Sequence, residues 1–249
     1  MTNELTDRGF WTNYWESKKG LVQPIPADYL FHEQLRRIVI NRKVKNAIEL
    51  GGFPGYYTIF LKKHLGVEAC LLDYFIHPGI IAELCRVNEM DSREIQIIET
   101  DLFKHAPKEK YDLVLSCGLI EHFKDTKDII QRHVQFLKPG GTLLITLPNF
   151  RGFNGWVQKT FDPNNYEKHE IGCMDPKLLK KLVEDLGLEV VQSVYYGKFS
   201  TWLENWEQQN LLVKGLIKTA WFVGKVFTKI IPFESKSLSP YILIEARMP

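Results

Sequence analysis

From Asn46 to Pro148 the chain alternates short apolar runs with stretches of helical periodicity, and this rhythm restricts the fold more than any other feature. NAIEL precedes GYYTIFLKKHL, and EACLLDY precedes GIIAELCRVNEM. EIQIIET, YDLVLSC and GTLLITLP continue the series, with IEHFKDTKDIIQRHVQFL between the last two. Strands that are apolar throughout, rather than on alternate positions, must be covered on both faces. Helices between them supply that cover, and right-handed crossovers then wind the chain on both sides of a parallel sheet. A helical PKLLKKLVEDLG, a strand-like LEVVQSVYY and a terminal PYILIEARMP extend the pattern.

Composition removes several alternatives. Lys and Arg total 32 against 30 Asp and Glu in 249 residues, so no general electrostatic attraction to nucleic acid is expected. Aromatics at 12% with so little net charge argue against disorder. MTNELTDRGF has no apolar core of a secretory signal. The cysteines (Cys70, Cys85, Cys117, Cys173) have neither zinc-ligand nor redox spacing, so no metal ligands are expected and a reducing, cytoplasmic setting is the simplest.

In such a sheet, ligands bind beyond the carboxyl ends of the strands, where strand order reverses. The first strand ends in IELGGFPGYY. Gly51, Gly52 and Gly55 allow close approach to the backbone, at the positive start of the next helix. The second strand ends at Asp73, beside Tyr74 and 24 residues after Glu49, where an acid can accept from both ribose hydroxyls. At the third, ETDLF sets Asp101 to accept from an adenine amine, with Leu102 against the ring. The fourth ends in SCGLIEHF, offering the carbonyls of Cys117 and Gly118, with His122 one turn later. Asp101 as a helix cap and His122 as a surface or capping histidine are the plainer alternatives.

Together these blocks resemble the class I S-adenosylmethionine-dependent methyltransferases, particularly the small-molecule branch that includes ubiquinone-biosynthesis-like enzymes. ELGGFPG resembles the E-x-G-x-G-x-G loop and LLDY the acidic second-strand end. ETDLF resembles the adenine-edge block, YDLVLSCGLIEHF the fourth-strand signature, and LKPGGTLLITLPN the fifth strand. The resemblance implies an α/β, Rossmann-like, doubly wound seven-stranded sheet with an antiparallel last strand. Residues 44–196 and 240–249 would form the core, 1–43 a helical lid, and 197–239 a helical insertion, all in one methyltransferase domain.

It further implies methyl transfer from S-adenosylmethionine to a small-molecule acceptor, such as a sugar or a lipid-linked intermediate. Glu49, Gly51, Gly52, Gly55, Asp73, Tyr74, Asp101, Leu102, Cys117, Gly118 and the lid's Tyr14 would surround the cofactor. His122, His169 and Tyr166 are the candidate bases for a hydroxyl acceptor. One departure stands out: Phe53 replaces the middle glycine, so the loop must take a shifted path. The same phenylalanine, with Tyr56, breaks G-x-G-x-x-G counted from Gly51 and argues against a dinucleotide dehydrogenase. A non-catalytic nucleoside-binding or regulatory protein on the same fold is the second reading.

Outside the sheet, all six tryptophans lie beyond residues 44–147. In 28–42, Leu30, Phe31, Leu35, Ile38 and Val39 share one helical face, with Asp28 as cap. Residues 210–231 carry only lysines as charges, and Lys214, Lys218, Lys225 and Lys229 fall within roughly 60° of arc. That many charges argue against a spanning helix. Two alternatives remain: a helix buried in the protein or in a homodimer interface with the stripe facing water, or a peripheral helix on an anionic membrane.

Overall fold

The computed structural model describes residues 3–230 and 234–249. Its strands are β1 (Asn46–Leu50), β2 (Glu68–Asp73), β3 (Gln96–Glu99), β4 (Tyr111–Cys117), β5 (Leu137–Pro148), β6 (Glu189–Tyr196) and β7 (Tyr241–Arg247). They form one seven-stranded sheet in the order β3-β2-β1-β4-β5-β7-β6. Pairings from β3 to β5 are parallel, and β7 runs antiparallel between β5 and β6. This is the doubly wound sheet with an antiparallel last strand that the sequence implies.

Side chains alternate across each strand. Ile48, Leu72, Val114, Ile145 and Ile244 face one way, against Ile129, Ile130, Leu179 and Val183. Those four belong to helices α5 (Thr126–Val134) and α8 (Pro176–Asp185). Ala47, Leu71, Leu113, Leu115, Leu144 and Leu243 face the other way, against α2 (His32–Arg42), α3 (Tyr56–Leu65) and α4 (Pro78–Val87). Both faces are covered, which is why the strands read as continuous apolar runs. Glu245 of β7 is buried at 1% exposure, and Arg37 of α2 pairs with it, so the charge is not left alone.

The remaining helices are accessory: α1 (Arg8–Ser17), α6 (Phe153–Phe161), α7 (Pro163–Tyr166) and α9 (Leu211–Ile230). Ile231, the end of the 210–231 stretch, lies outside the described residues. The 28–42 helix is shorter than its pattern suggests. Asp28 does not cap it; α2 begins at His32, and Phe31 sits at φ 64 as its N-cap residue. Phe31 leaves the helical path because its ring is buried against Tyr57, Tyr196 and Tyr241, while Leu30 stays exposed.

Leu144→Ala empties a fully buried site in the middle of the sheet and should cost about 3 kcal/mol in urea denaturation. Leu211→Ala, at a side chain 87% exposed, should cost less than about 0.5 kcal/mol. Equal losses would contradict this assignment of the core.

Candidate active site

Strand order reverses between β1 and β4, and a cavity of about 390 Å³ opens beyond the carboxyl ends of the strands there. Its floor is the β1–α3 turn. Gly51 sits at φ +62 and donates its N–H to Leu72 O at 2.8 Å; a Cβ there would fall 2.4 Å from Leu119. A Cβ on Gly52 would fall 2.2 Å from the Glu49 side chain. Gly55 opens α3 at φ +96 and does not line the cavity. Glu49 is buried and accepts from Thr58 N at 2.8 Å and Thr58 Oγ1 at 2.6 Å. Burial pushes its carboxyl up to about 7, and the Thr58 hydrogen bonds oppose that rise.

The acids at the strand ends do reach the cavity. Asp73 accepts from Phe53 N at 2.9 Å and from Phe75 N at 3.0 Å, and burial raises it to about 6. Two backbone donors leave part of its acceptor capacity for a ligand. Asp101 accepts from Phe103 N at 2.9 Å and pairs with the exposed Lys104 at 3.2 Å. Tyr74, Leu102, Cys117 and Gly118 line the same wall. The Cys117 thiol is pushed well up by burial, so it contributes a neutral surface and a backbone carbonyl. Phe53 does not fill the loop's path. Its ring packs edge-on against Trp15 at 5.2 Å and Phe75 at 5.6 Å.

Helix α1 roofs the cavity and is held at three places. Leu5 N donates to His122 O at 2.8 Å, and Glu4 forms an antiparallel bridge with Phe123. Trp15 packs on Phe53, and Trp11 on His122 at 5.0 Å. Glu204, from the insertion, accepts from Tyr14 Oη at 2.9 Å and Lys18 Nζ at 2.5 Å. Tyr14 therefore lines the cavity with its hydroxyl directed at Glu204.

His122 and His169 also line the cavity, with ring centroids 4.7 Å apart. His122 Nδ1 donates to Lys168 O at 3.1 Å, and His169 Nδ1 to Asn165 O at 2.7 Å. A carbonyl only accepts, so each ring carries its proton on Nδ1 and presents a lone pair on Nε2. Burial keeps both neutral, holding His122 down at about 3. Tyr166 does not join them. It stacks on Phe150 at 6.2 Å, outside the cavity lining, because the short α7 turns it into the core. The sequence reading missed Glu121, Lys168 and Glu204, all of which line the cavity. Glu121 alone had a signal, as the other half of the Glu-His pair.

Glu49 has a measurable signature. The unfolded chain ionises it near 4.5 and the folded one near 7. The folded state holds the proton longer, so this group's contribution to stability is complete below about 4.5 and is lost as pH rises through about 7. Glu49→Gln removes that dependence. Urea denaturation at pH 5 and pH 8 should show the variant gaining on the wild type at pH 8. A difference that does not change with pH would refute the shifted carboxyl.

A family model described as a methyltransferase domain matches residues 26–193. No curated sequence matches the chain. Several solved structures share its fold at low identity. An S-adenosylmethionine-dependent methyltransferase from Archaeoglobus fulgidus aligns at TM-score 0.55 and 17% identity, covering 86% of this chain and 91% of that one. The N-methyltransferase NodS from Bradyrhizobium japonicum WM9, in complex with S-adenosylhomocysteine, aligns at 0.50 and 17%, covering 99% and 95%. Phosphoethanolamine N-methyltransferase 2 from Haemonchus contortus, in complex with S-adenosylmethionine, aligns at 0.57 and 14%, covering 87% and 52%. With two thirds of its length matched by the family model and its cavity at the carboxyl ends of this sheet, the chain belongs to the methyltransferase domain family, as an S-adenosylmethionine-dependent methyltransferase of class I.

Proposed function

We propose that the cavity holds the methyl donor at its Gly51–Asp73–Asp101 end and a small-molecule acceptor, a sugar or a lipid-linked intermediate, at its His122–His169 end. The observation that carries this reading is that one continuous cavity joins a glycine cradle with no room for a Cβ to two imidazoles with free lone pairs. The donor, when bound, supplies an electrophilic methyl on a sulfonium sulfur. Gly51 and Gly52 let it approach the backbone, Asp73 accepts from ribose hydroxyls, and Asp101 with Leu102 receives the adenine edge. Trp11, Phe150 and Trp202 wall the acceptor end, exclude water and fix orientation, which is the main demand of an in-line transfer. His122 and His169 are the groups that take or displace the proton of a hydroxyl nucleophile.

Calorimetric titration with S-adenosylmethionine and S-adenosylhomocysteine tests the division of the cavity. Both should bind the wild type. Asp73→Ala should weaken them by roughly tenfold or more, the loss of hydrogen bonds to a charged group. His122→Ala should leave both within about twofold. No binding, or the two variants acting in reverse, would overturn it.

The insertion adds a site of access. Helix α9 docks through Ile217, which packs with Val157 and Leu203, and through Gly224, where a Cβ would meet the Phe199 ring at 2.1 Å. Its outer side carries exposed Leu211, Leu212, Leu216, Phe222, Val223, Val226 and Phe227. At about 100° per residue these span roughly 160° of arc, with no charge among them. Lys214, Lys218 and Lys225 border that arc on one edge, and the helix contains no acid. The helix is therefore not enclosed in the protein with only lysines facing water. No helix among the described residues is long and apolar enough to cross a membrane. An apolar face bordered by cations suits an anionic membrane surface, and a lipid-linked acceptor would then be delivered beside Trp202. Sedimentation with phosphatidylglycerol vesicles at low salt should capture the wild type, with the bound fraction falling severalfold in Phe222→Ser/Phe227→Ser. A chain that ignores the vesicles, or that buries this face in a stable dimer, would refute the membrane contact.

A further inference from the structure

Glu121 has no role in the reading above, yet it is the most anomalous side chain in the cavity. It is 1% exposed, and its Oε2 has no hydrogen-bond partner. Buried carboxylate oxygens are otherwise paired, because an isolated charge in an apolar setting is costly. Lys168, the nearby lysine of the cavity wall, does not serve it. Its Nζ lies over the Phe10 ring at 4.4 Å.

The Glu121 carboxylate is not isolated from other ligand groups. One ligand atom each from Glu121, His122 and His169 lies within 4.8 Å of the others. Both imidazoles are oriented in the way ligating histidines are. Each gives its Nδ1–H to a backbone carbonyl, Lys168 O or Asn165 O, and so presents Nε2. The two carbonyls belong to one short segment, 165–168, which fixes both rings from the same side. Around them stand Trp11, edge-on to His122, and Phe150, edge-on to His169 at 4.8 Å. An apolar surround of this kind limits competing water.

We propose that Glu121, His122 and His169 bind a single divalent first-row cation of the zinc class in the acceptor end of the cavity. Two imidazole nitrogens and one carboxylate oxygen suit Zn²⁺, Mn²⁺, Fe²⁺ or Co²⁺, whereas Mg²⁺ and Ca²⁺ favour oxygen donors throughout. Three protein ligands leave coordination positions open, the mark of a site that also binds substrate. The site itself stands on geometry alone. What the cation would do there rests on the methyl-transfer reading: with both imidazole lone pairs occupied by the metal, it would take over their part as bases, holding an acceptor oxygen opposite the donor and favouring loss of its proton.

The test uses the full chain stripped of metal with EDTA and titrated with Co²⁺, followed by visible absorption. Wild type should take up one equivalent with d–d bands of a nitrogen- and oxygen-ligated site, and Zn²⁺ should displace it. Glu121→Gln and His169→Ala should each weaken Co²⁺ by roughly tenfold or more, since even outer-shell changes cost that much. X-ray absorption on cobalt-loaded wild type needs no variant and should report two imidazoles and no sulfur. No uptake by folded wild type, unchanged affinity in both variants, or a sulfur in the shell would each overturn the site. Titration with S-adenosylmethionine in EDTA separates the two readings. A chain that binds Co²⁺ at these residues but not the methyl donor loses the function reading and keeps the metal site. The reverse pattern removes the metal site alone.

Discussion

The close approach of Gly52 to the Glu49 side chain governs the rest of the site. Because nothing larger than hydrogen fits there, the turn after β1 lies flat against the strand ends. Thr58, on the first turn of α3, holds the Glu49 carboxyl beneath it with two hydrogen bonds. The next residue then has its N–H on Asp73 and its ring buried beside Phe75. That residue is Phe53, and its buried ring is the surface on which Trp15 packs. The roof of the cavity is thus seated on its floor by the side chain that stands where a middle glycine is expected. Trp11, one turn back along α1, reaches His122 from the same seat. Phe53 in the glycine loop is thus linked through Trp15 and Trp11 of α1 to His122.

Much of this was legible because a parallel sheet converts sequence position into location. A residue that ends an apolar run must stand at the rim of the sheet, so Asp73, Asp101, Cys117 and Gly118 reach the cavity without any knowledge of tertiary contacts. The same logic fails where side chains leave the pattern of their element. Phe31 reads as part of a helical face, yet it adopts φ 64 to bury its ring. Tyr166 and His169 lie three residues apart and look equivalent. One packs on Phe150 outside the cavity and the other enters it, a choice set by the four-residue helix between Pro163 and Tyr166. Glu121 was hidden beside the more conspicuous His122, since no spacing rule brings a residue near 121 to one near 169. In α9 the apolar residues and lysines are plain from the residues alone, but which arc faces outward depends on Gly224 and Ile217 docking inward.

The charge distribution of the cavity gives a direction to the chemistry. Glu4, Glu49, Asp73, Asp101, Glu121 and Glu204 line it, against Lys168 as the one lysine or arginine of the lining. The histidines are held neutral and add no positive charge. Glu49 and Asp73, raised to about 7 and about 6, remain in part ionised at neutral pH. Inside a partly enclosed site their field is far less screened than it would be in water. Such a wall attracts a sulfonium cation and has no comparable hold on a neutral thioether. Acids that stabilise the charged donor therefore favour its exchange for the spent product after transfer. They also explain why the cavity tolerates raised carboxyls such as Glu49 and Asp73, whose burial is costly: the cost is offset when a cation, organic or metallic, enters the space between them.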